Sequence, residues 1–117
     1  MKMLLTSAGI KHASIHTALV ELLGKPIAEC NALCIPTGSY ALQGGAVMAW
    51  KFISGHEPRC PMCELGWKSV GVLELTALPS LDKARWLPAG QEAEVLLVNG
   101  GDPLYLYHWM RHSGLAD

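Results

Sequence analysis

The strongest constraint on the fold is the alternation of short apolar runs with helix-like segments. The apolar runs, at residues 3–6, 32–35, 69–75 and 94–98, are of strand length, and each is followed by turn residues. Parallel neighbouring strands need a crossover connection, usually a helix, and strands buried on both faces are almost continuously apolar. The pattern predicts an α/β fold, a three-layer doubly wound parallel sheet of about four strands, in a single domain over residues 1–117.

Helical periodicity fills the segments between these runs. In the segment 13–23 the apolar residues Ile15, Leu19 and Leu22 share one face, and Gly24 can end the helix in the left-handed conformation. Further helices are predicted over residues 44–53, 81–87 (before Pro88) and 103–113.

Two of these helices carry large apolar side chains that are expected to point inward. The helix over 44–53 is predicted to turn Val47, Trp50 and Ile53 towards the core. The helix over 103–113 is apolar on nearly every side, which predicts a position in the interior of a larger apolar assembly.

The composition limits the classes of partner. The 117 residues are 50% hydrophobic and 16% charged, with a net charge of −1 and a mean hydropathy of +0.24. No basic run marks a nucleic-acid surface and no apolar run approaches the length of a bilayer span, so we expect neither a nucleic-acid nor a membrane partner. The apolar run at 3–6 is too short for a signal peptide, which predicts a cytoplasmic protein with reduced cysteines.

The high apolar content is unusual for a small domain, whose large relative surface needs polar residues. A half-sheet of four strands would leave one strand edge unpaired and the apolar last helix exposed. We therefore expect the chain to associate with itself as a homo-oligomer.

The loops at the carboxyl ends of the predicted strands are the expected functional site, because ligands of open parallel sheets bind there. Between the fourth strand and the last helix, two glycines allow the backbone to approach a ligand. Free N–H groups at a helix N-terminus can stabilise negative charge, including the oxyanion of acyl transfer. The alternative is a tight turn in which Asp102 caps the helix and no ligand binds. The oxyanion-hole candidates are Gly100 and Gly101, and the substrate-crevice candidates are Asn99, Asp102, Ser39 and Tyr40.

The segment 98–106, in which Gly100-Gly101 is followed by Asp102 and Pro103, carries the clearest likeness to a known family. It resembles the Gly-Gly segment of the peptidase E family, aspartyl dipeptidases and relatives with the class I glutamine amidotransferase-like, flavodoxin-like fold. The resemblance covers nearly the whole chain, and its segments occur in the family's order. Besides 98–106, they are residues 4–10, 18–27, 34–37, 65–75, 109–111 and 113–115.

The resemblance implies a serine-type hydrolase of short peptides with an N-terminal aspartate. It implies that the Gly-Gly turn donates a backbone N–H to the oxyanion hole, with Gly101 preferred over Gly100. The family's serine lies in a Gly-x-Ser-Ala-Gly elbow after a later strand, with the histidine base further on, and residues 1–117 contain no such elbow. Ser7 is a poor substitute because Leu5 occupies the position of the elbow's first glycine. We therefore expect the N-terminal portion of such a peptidase, incomplete relative to the family and inactive alone.

Two other functions remain open. One is a non-catalytic, oligomeric binding or assembly module of the same fold. The other is a small zinc-stabilised protein, in which His56, Cys60 and Cys63 supply three possible ligands. The simpler alternative has no cofactor, with the thiols packed as small apolar side chains. Two further pairs have suitable ligand types: Cys30 with Cys34, and His108 with His112.

Overall fold

A computed structural model of the chain describes residues 2–6, 9–56 and 61–116. Its helices and strands alternate as the sequence predicts, and the α/β class is confirmed. Three short 3-10 turns separate some of them, at Ile27–Glu29, Thr37–Ala41 and Leu75–Ser80. In chain order the longer elements are α1 (Ala13–Leu23), β1 (Asn31–Ile35), α2 (Gly45–Ile53), β2 (Ser69–Val72), α3 (Lys83–Glu92), β3 (Val95–Val98) and α4 (Pro103–His112).

The described strands form one parallel sheet in the order β2-β1-β3. β1 is therefore central, and its Leu33 pairs with Gly71 of β2 and Leu96 of β3. Gly71 leaves room for the neighbouring side chain, since a Cβ there would lie 2.7 Å from Leu33 Cδ2. The predicted parallel pairing is confirmed for these strands.

Helices pack against both faces of this sheet, because alternate strand residues point to opposite sides. On one face Ala32 and Cys34 of β1 pack with Leu19 of α1 and Phe52 of α2. On the other face, β1 packs with residues of α3 and of the 3-10 turn before α3, and α4 packs against the edge of this second cluster. The buried members of this second cluster are Ile35, Leu73, Leu75, Leu78 and Trp86.

The prediction of a strand over residues 3–6 is wrong, and the described part of the chain has three strands rather than four. Residues 2–6 have no regular structure, with Met3 and Leu5 exposed and Leu4 packed against the first cluster. The run pairs with neither outer strand of the described sheet, although β2 and β3 each have an unpaired edge there. An apolar run this short does not by itself specify a strand.

Helix α2 is rotated relative to the prediction. Val47 and Trp50, expected inside, are 60% and 67% exposed, whereas Gly45, Ala49 and Phe52 are buried. A Cβ on Gly45 would overlap the carbonyl oxygen of Ser39, so the backbone of this face must approach the turn after β1 closely. Because this close approach requires small residues, the face of α2 that carries Gly45 and Ala49 is the one that is buried.

Helix α3 continues beyond the predicted end at residue 87, passing through Pro88 to Glu92. Proline removes one helical hydrogen bond, but Trp86 is buried and Leu87 packs beside it on the second cluster. The packing of α3 on the sheet outweighs the tendency of Pro88 to end the helix.

Helix α4, although apolar on nearly every side, lies at the surface of this chain, as expected for the last helix of a half-sheet. None of its residues is buried, and Leu104 is 78% exposed. Only Leu106, Trp109 and Met110 pack against the second cluster. Among the described residues, no helix combines the length and the apolar character that a membrane crossing requires.

Candidate functional site

The carboxyl ends of β1 and β3 lie side by side, with Ile35 paired to Val98. From this point the chain leaves β1 towards α2 on one face of the sheet and leaves β3 towards α4 on the other. In open α/β sheets such a divergence of neighbouring connections is where ligands bind. The loops that follow the two strands contain all six residues predicted for the oxyanion hole and the crevice.

These two loops are joined by hydrogen bonds. The Asn99 side-chain amide donates to Ser39 Oγ at 2.6 Å, and Ser39 Oγ donates to the Gly100 carbonyl oxygen at 3.1 Å. The Asp102 N–H donates to the Gly38 carbonyl oxygen at 3.2 Å. Ser39 is fully buried, so it holds the two loops together and is not available to a substrate.

Gly101 occupies a position that other residues cannot adopt without strain. Its φ is +153°, and a Cβ there would overlap the carbonyl oxygen of Gly38 and lie 2.7 Å from Ser39 N. A Cβ on Gly100 would meet nothing within 4 Å. Only the second glycine of the pair is required by the backbone geometry.

The two candidate oxyanion donors also differ in their hydrogen bonds. The Gly100 N–H donates to Asn99 Oδ1 at 3.0 Å. The Gly101 N–H donates to no group within residues 2–6, 9–56 and 61–116. Gly101 is therefore the candidate whose donor is free to bind an oxyanion.

The remaining crevice candidates have different roles. Asp102 caps α4, because its Oδ1 accepts from the Tyr105 N–H at 2.9 Å, and Pro103 occupies the first turn. The capping interaction predicted from the sequence is present. Tyr40 lies on the rim of the loop pair, with its side chain 45% exposed.

A second group of polar residues, not identified in the sequence, joins the carboxyl ends of β1 and β2. Thr37 Oγ1 donates to Glu74 Oε1 at 2.6 Å and accepts from the Leu75 N–H at 3.1 Å. The N–H and Oγ1 of Thr76 donate to the same Glu74 oxygen, at 3.3 and 3.2 Å. The one sequence feature that could have indicated this group is Glu74, a charged residue inside the otherwise apolar run 69–75.

The other oxygen of Glu74 is unusual. Glu74 Oε2 is buried, and within the described residues it has no hydrogen-bond partner. A buried oxygen without a donor is destabilising. The oxygen keeps its capacity to accept a hydrogen bond from a water, a hydroxyl or an ammonium group. Among the described residues, the carboxyl edge of the sheet therefore has a donor without a partner at Gly101 and a buried acceptor without a partner at Glu74.

Open grooves on the surface lie away from these loops. One, of about 360 Å³, is lined at the amino ends of β1 and β2 by Asn31 and Ser69 and by Glu92 of α3. Another, of about 400 Å³, lies along the exposed side of α4 at Tyr107 and His112. Neither groove is lined by residues of the loops after β1 and β3.

The zinc candidates are not assembled into a site in the described part of the chain. His56 is exposed with its Nδ1 3.1 Å from Ser54 Oγ, and Cys63 is partly buried. Cys60 lies outside the described residues, as does Ser7. The structure shows no group of three or more His, Cys, Asp or Glu side chains suited to a metal within the ranges it describes. His108 and His112 stack on α4, with ring centroids 5.4 Å apart.

The sequence and the structure were also compared with known proteins. No family model, no curated protein and no solved structure matches the chain. Its function must therefore be inferred from the geometry of the loops after β1, β2 and β3 together with the resemblance of the sequence segments.

Proposed function

We propose that this chain supplies the oxyanion-hole side of a serine-type dipeptidase of the peptidase E kind, which hydrolyses short peptides with an N-terminal aspartate. The observation that carries the proposal is the Gly101 N–H. It lies at a strand-to-helix turn, is held by close backbone contact with Gly38, and has no partner among the described residues.

The architecture supports the proposal. The strand order β2-β1-β3, with helices on both faces, is compatible with part of a three-layer, flavodoxin-like or class I glutamine amidotransferase-like sheet. In that arrangement the turn after β3 borders the crevice that receives the substrate.

The proposed chemistry is stabilisation of the tetrahedral intermediate of acyl transfer. The substrate carbonyl oxygen becomes an oxyanion and accepts a hydrogen bond from Gly101, next to the positive end of the α4 dipole. The Ser39–Asn99–Gly100 hydrogen bonds hold the donor in place before the reaction begins. The nucleophile and base lie outside these 117 residues in this proposal, so the chain alone is inactive.

The test is hydrolysis of Asp-Leu by two purified proteins: these 117 residues, and the product of the complete reading frame that encodes them. We expect activity only in a longer product containing a Gly-x-Ser-x-Gly elbow, and a lower kcat/KM after Gly101→Ala, because the methyl group overlaps the Gly38 carbonyl oxygen and displaces the backbone that carries the donor. Gly100→Ala is the matched control, because a methyl group there meets open space.

Two results contradict the proposal. One is a longer product that is folded by circular dichroism and does not cleave Asp-Leu. The other is a reading frame that ends after Asp117. Either result favours the second candidate function.

The second candidate is a non-catalytic assembly module formed by self-association. It is favoured by apolar side chains exposed on the outer strands of the sheet, Val70 and Val72 in β2 and Leu96 in β3, and by Trp50 on α2. Outer strands with such side chains can pair with another copy of the chain. Light scattering over a wide range of concentrations tests this, and a monomeric mass throughout would contradict it.

A further inference from the structure

The exposed side of α4 carries two histidines that the proposed function does not use. His108 and His112 are four residues apart on this helix, both are exposed, and both line the open groove along it. Their imidazole rings are stacked, with centroids 5.4 Å apart and an interplanar angle of 13°. The pair lies in the second half of α4, away from the Gly101 turn that precedes the helix.

Two histidines in this arrangement can bind one metal ion. Residues four apart lie on the same face of a helix, and two histidines at this spacing on one helical face are an established ligand pair for zinc. Each ring nitrogen must lie about 2.0–2.1 Å from such an ion. Because both side chains are exposed and their rings already lie side by side, rotation of the side chains can direct one nitrogen of each ring to a common point.

The position of the pair at the end of the helix also favours a cation. His112 is the last residue of α4, and the negative end of a helix dipole lies at the C-terminus. Arg111 lies in the same groove, but its guanidinium carbon lies over the Tyr107 ring, 6.0 Å from the ring centroid. The charge of Arg111 is therefore directed to the neighbouring stripe of the helix.

We propose that His108 and His112 form a binding site for one divalent transition-metal ion of the class that imidazole binds well, Ni²⁺, Cu²⁺ or Zn²⁺. One nitrogen of each neutral imidazole binds the ion and replaces a water of its hydration shell, and water occupies the remaining positions. With two protein ligands the site is open, unlike the closed four-ligand sites of structural zinc. The site uses no residue of the Gly101 turn, so it is independent of the proposed dipeptidase function.

The chain contains a matched control pair. His12 and His16 have the same spacing in the sequence and are also exposed. His12, however, precedes α1 with an extended backbone, at a φ of −102° and a ψ of 150°, so the two side chains do not follow one helical face. The comparison tests whether the helical geometry, and not the histidine content, makes the site.

The experiment is isothermal titration calorimetry of the untagged protein with Ni²⁺. Ni²⁺ is the probe because Cu²⁺ also oxidises thiols, and the chain contains four cysteines. We expect one ion per chain, with a dissociation constant roughly a hundredfold larger after His108→Ala or His112→Ala, because a single imidazole loses the advantage of two linked ligands. His12→Ala should leave the dissociation constant unchanged.

A second measurement locates the ion. The Trp109 ring lies edge-on to both imidazoles, with its centroid 5.3 Å from that of His108 and 5.4 Å from that of His112. Ni²⁺ bound by the pair should therefore quench the fluorescence of Trp109. Trp109→Phe should remove this quenching and keep the dissociation constant measured by calorimetry.

Four results would overturn the proposal. They are no binding of Ni²⁺, an unchanged dissociation constant in both His108→Ala and His112→Ala, an equal loss of affinity in His12→Ala, and equal quenching in Trp109→Phe. The replaced histidines are exposed, so these variants are expected to fold, and circular dichroism checks that they do.

Discussion

The two loop junctions at the carboxyl edge of the sheet are built in different ways. The junction between β1 and β3 is made by backbone in close approach, with Gly101 against Gly38. The junction between β1 and β2 is made by side chains, with Thr37 and Thr76 both bonded to one oxygen of Glu74. Within residues 2–6, 9–56 and 61–116, the first leaves a backbone donor without a partner, and the second leaves a carboxylate oxygen without one.

The comparison shows how a packed sheet edge can retain groups for a ligand. Close backbone contact excludes a side chain and leaves the Gly101 N–H without a partner in the described residues. The side-chain network satisfies Glu74 Oε1 with three donors but leaves Oε2 with none in the same part of the chain. Both groups border the end of β1, with Gly101 on the β3 side and the buried Glu74 oxygen on the β2 side.

The largest expected effect is at the backbone junction. Gly101→Ala should lower the free energy of unfolding by about 3 kcal/mol or more, because the methyl group overlaps the Gly38 carbonyl oxygen and φ is +153°. Gly100→Ala should change it by less than about 0.5 kcal/mol, since that methyl group meets open space. Urea unfolding measures both, and equal effects would mean that the close approach is not specific to Gly101.

The next largest loss of stability is expected at the side-chain junction between β1 and β2. Thr37→Val should destabilise the protein by about 2 kcal/mol, because the buried Leu75 N–H loses its acceptor and Glu74 Oε1 loses its shortest donor. Thr76→Val should cost about 1 kcal/mol or less, since its N–H still donates to Glu74. Thermal unfolding monitored by circular dichroism tests the order, and a larger loss for Thr76→Val would show that the network is centred elsewhere.

A smaller effect is expected from Glu74→Gln. The amide oxygen can accept from the donors of Oε1, so the free energy of unfolding should change by less than about 1 kcal/mol. If Oε2 accepts a hydrogen bond from a water or a ligand, the new NH₂ group cannot, and the loss should reach about 2 kcal/mol. Urea unfolding distinguishes these outcomes, with Glu21→Gln on the exposed side of α1 as the control.

The smallest effect lies at the opposite, amino-terminal edge of the sheet, where Glu94 accepts from Lys25 Nζ at 2.9 Å and from the Asn31 N–H. The Lys25 hydrogen bond, and then that of Asn31, lower the pKa of Glu94, and the Glu94 hydrogen bond raises that of Lys25. The stabilisation from Glu94 is therefore present above its unfolded pKa and is lost as the pH falls through the lower folded pKa.

An NMR titration of the Glu94 carboxyl carbon tests this interaction. The midpoint should move upward in Lys25→Met, because the main cause of the lowered pKa has been removed. An unchanged midpoint would show that the Asn31 N–H alone accounts for the shift. Both side chains are partly exposed, so we expect only a small change in stability at neutral pH.

Much of the site was predictable from local sequence rules. Glycine in a turn between a strand and a helix, followed by Asp102 and Pro103, predicts both the tight backbone and the cap, and the structure contains both. Glu74 was not predicted because it lies within an apolar run. Its partner Thr37 is brought to it only by the pairing of β1 with β2.

The predictions that failed depended on contacts between distant segments. The inward face of α2 was assigned from its large apolar residues, but the contact of Gly45 with Ser39 turns another face to the core. The run at residues 3–6 was assigned as a strand, but it pairs with neither outer strand of the described sheet. Helix α3 passes Pro88 because Trp86 and Leu87 pack on the sheet.

The sequence by itself determined the α/β class, the limits of α1, the parallel pairing of the strands and the loop in which Gly101 lies, because each depends on periodicity or on the preferences of neighbouring residues. The tertiary structure decided which face of α2 is buried and that Glu74 meets Thr37. Those outcomes depend on how segments that are distant in sequence fit together. Hydrophobic pattern constrains such contacts only weakly, whereas steric fit and hydrogen bonding specify them.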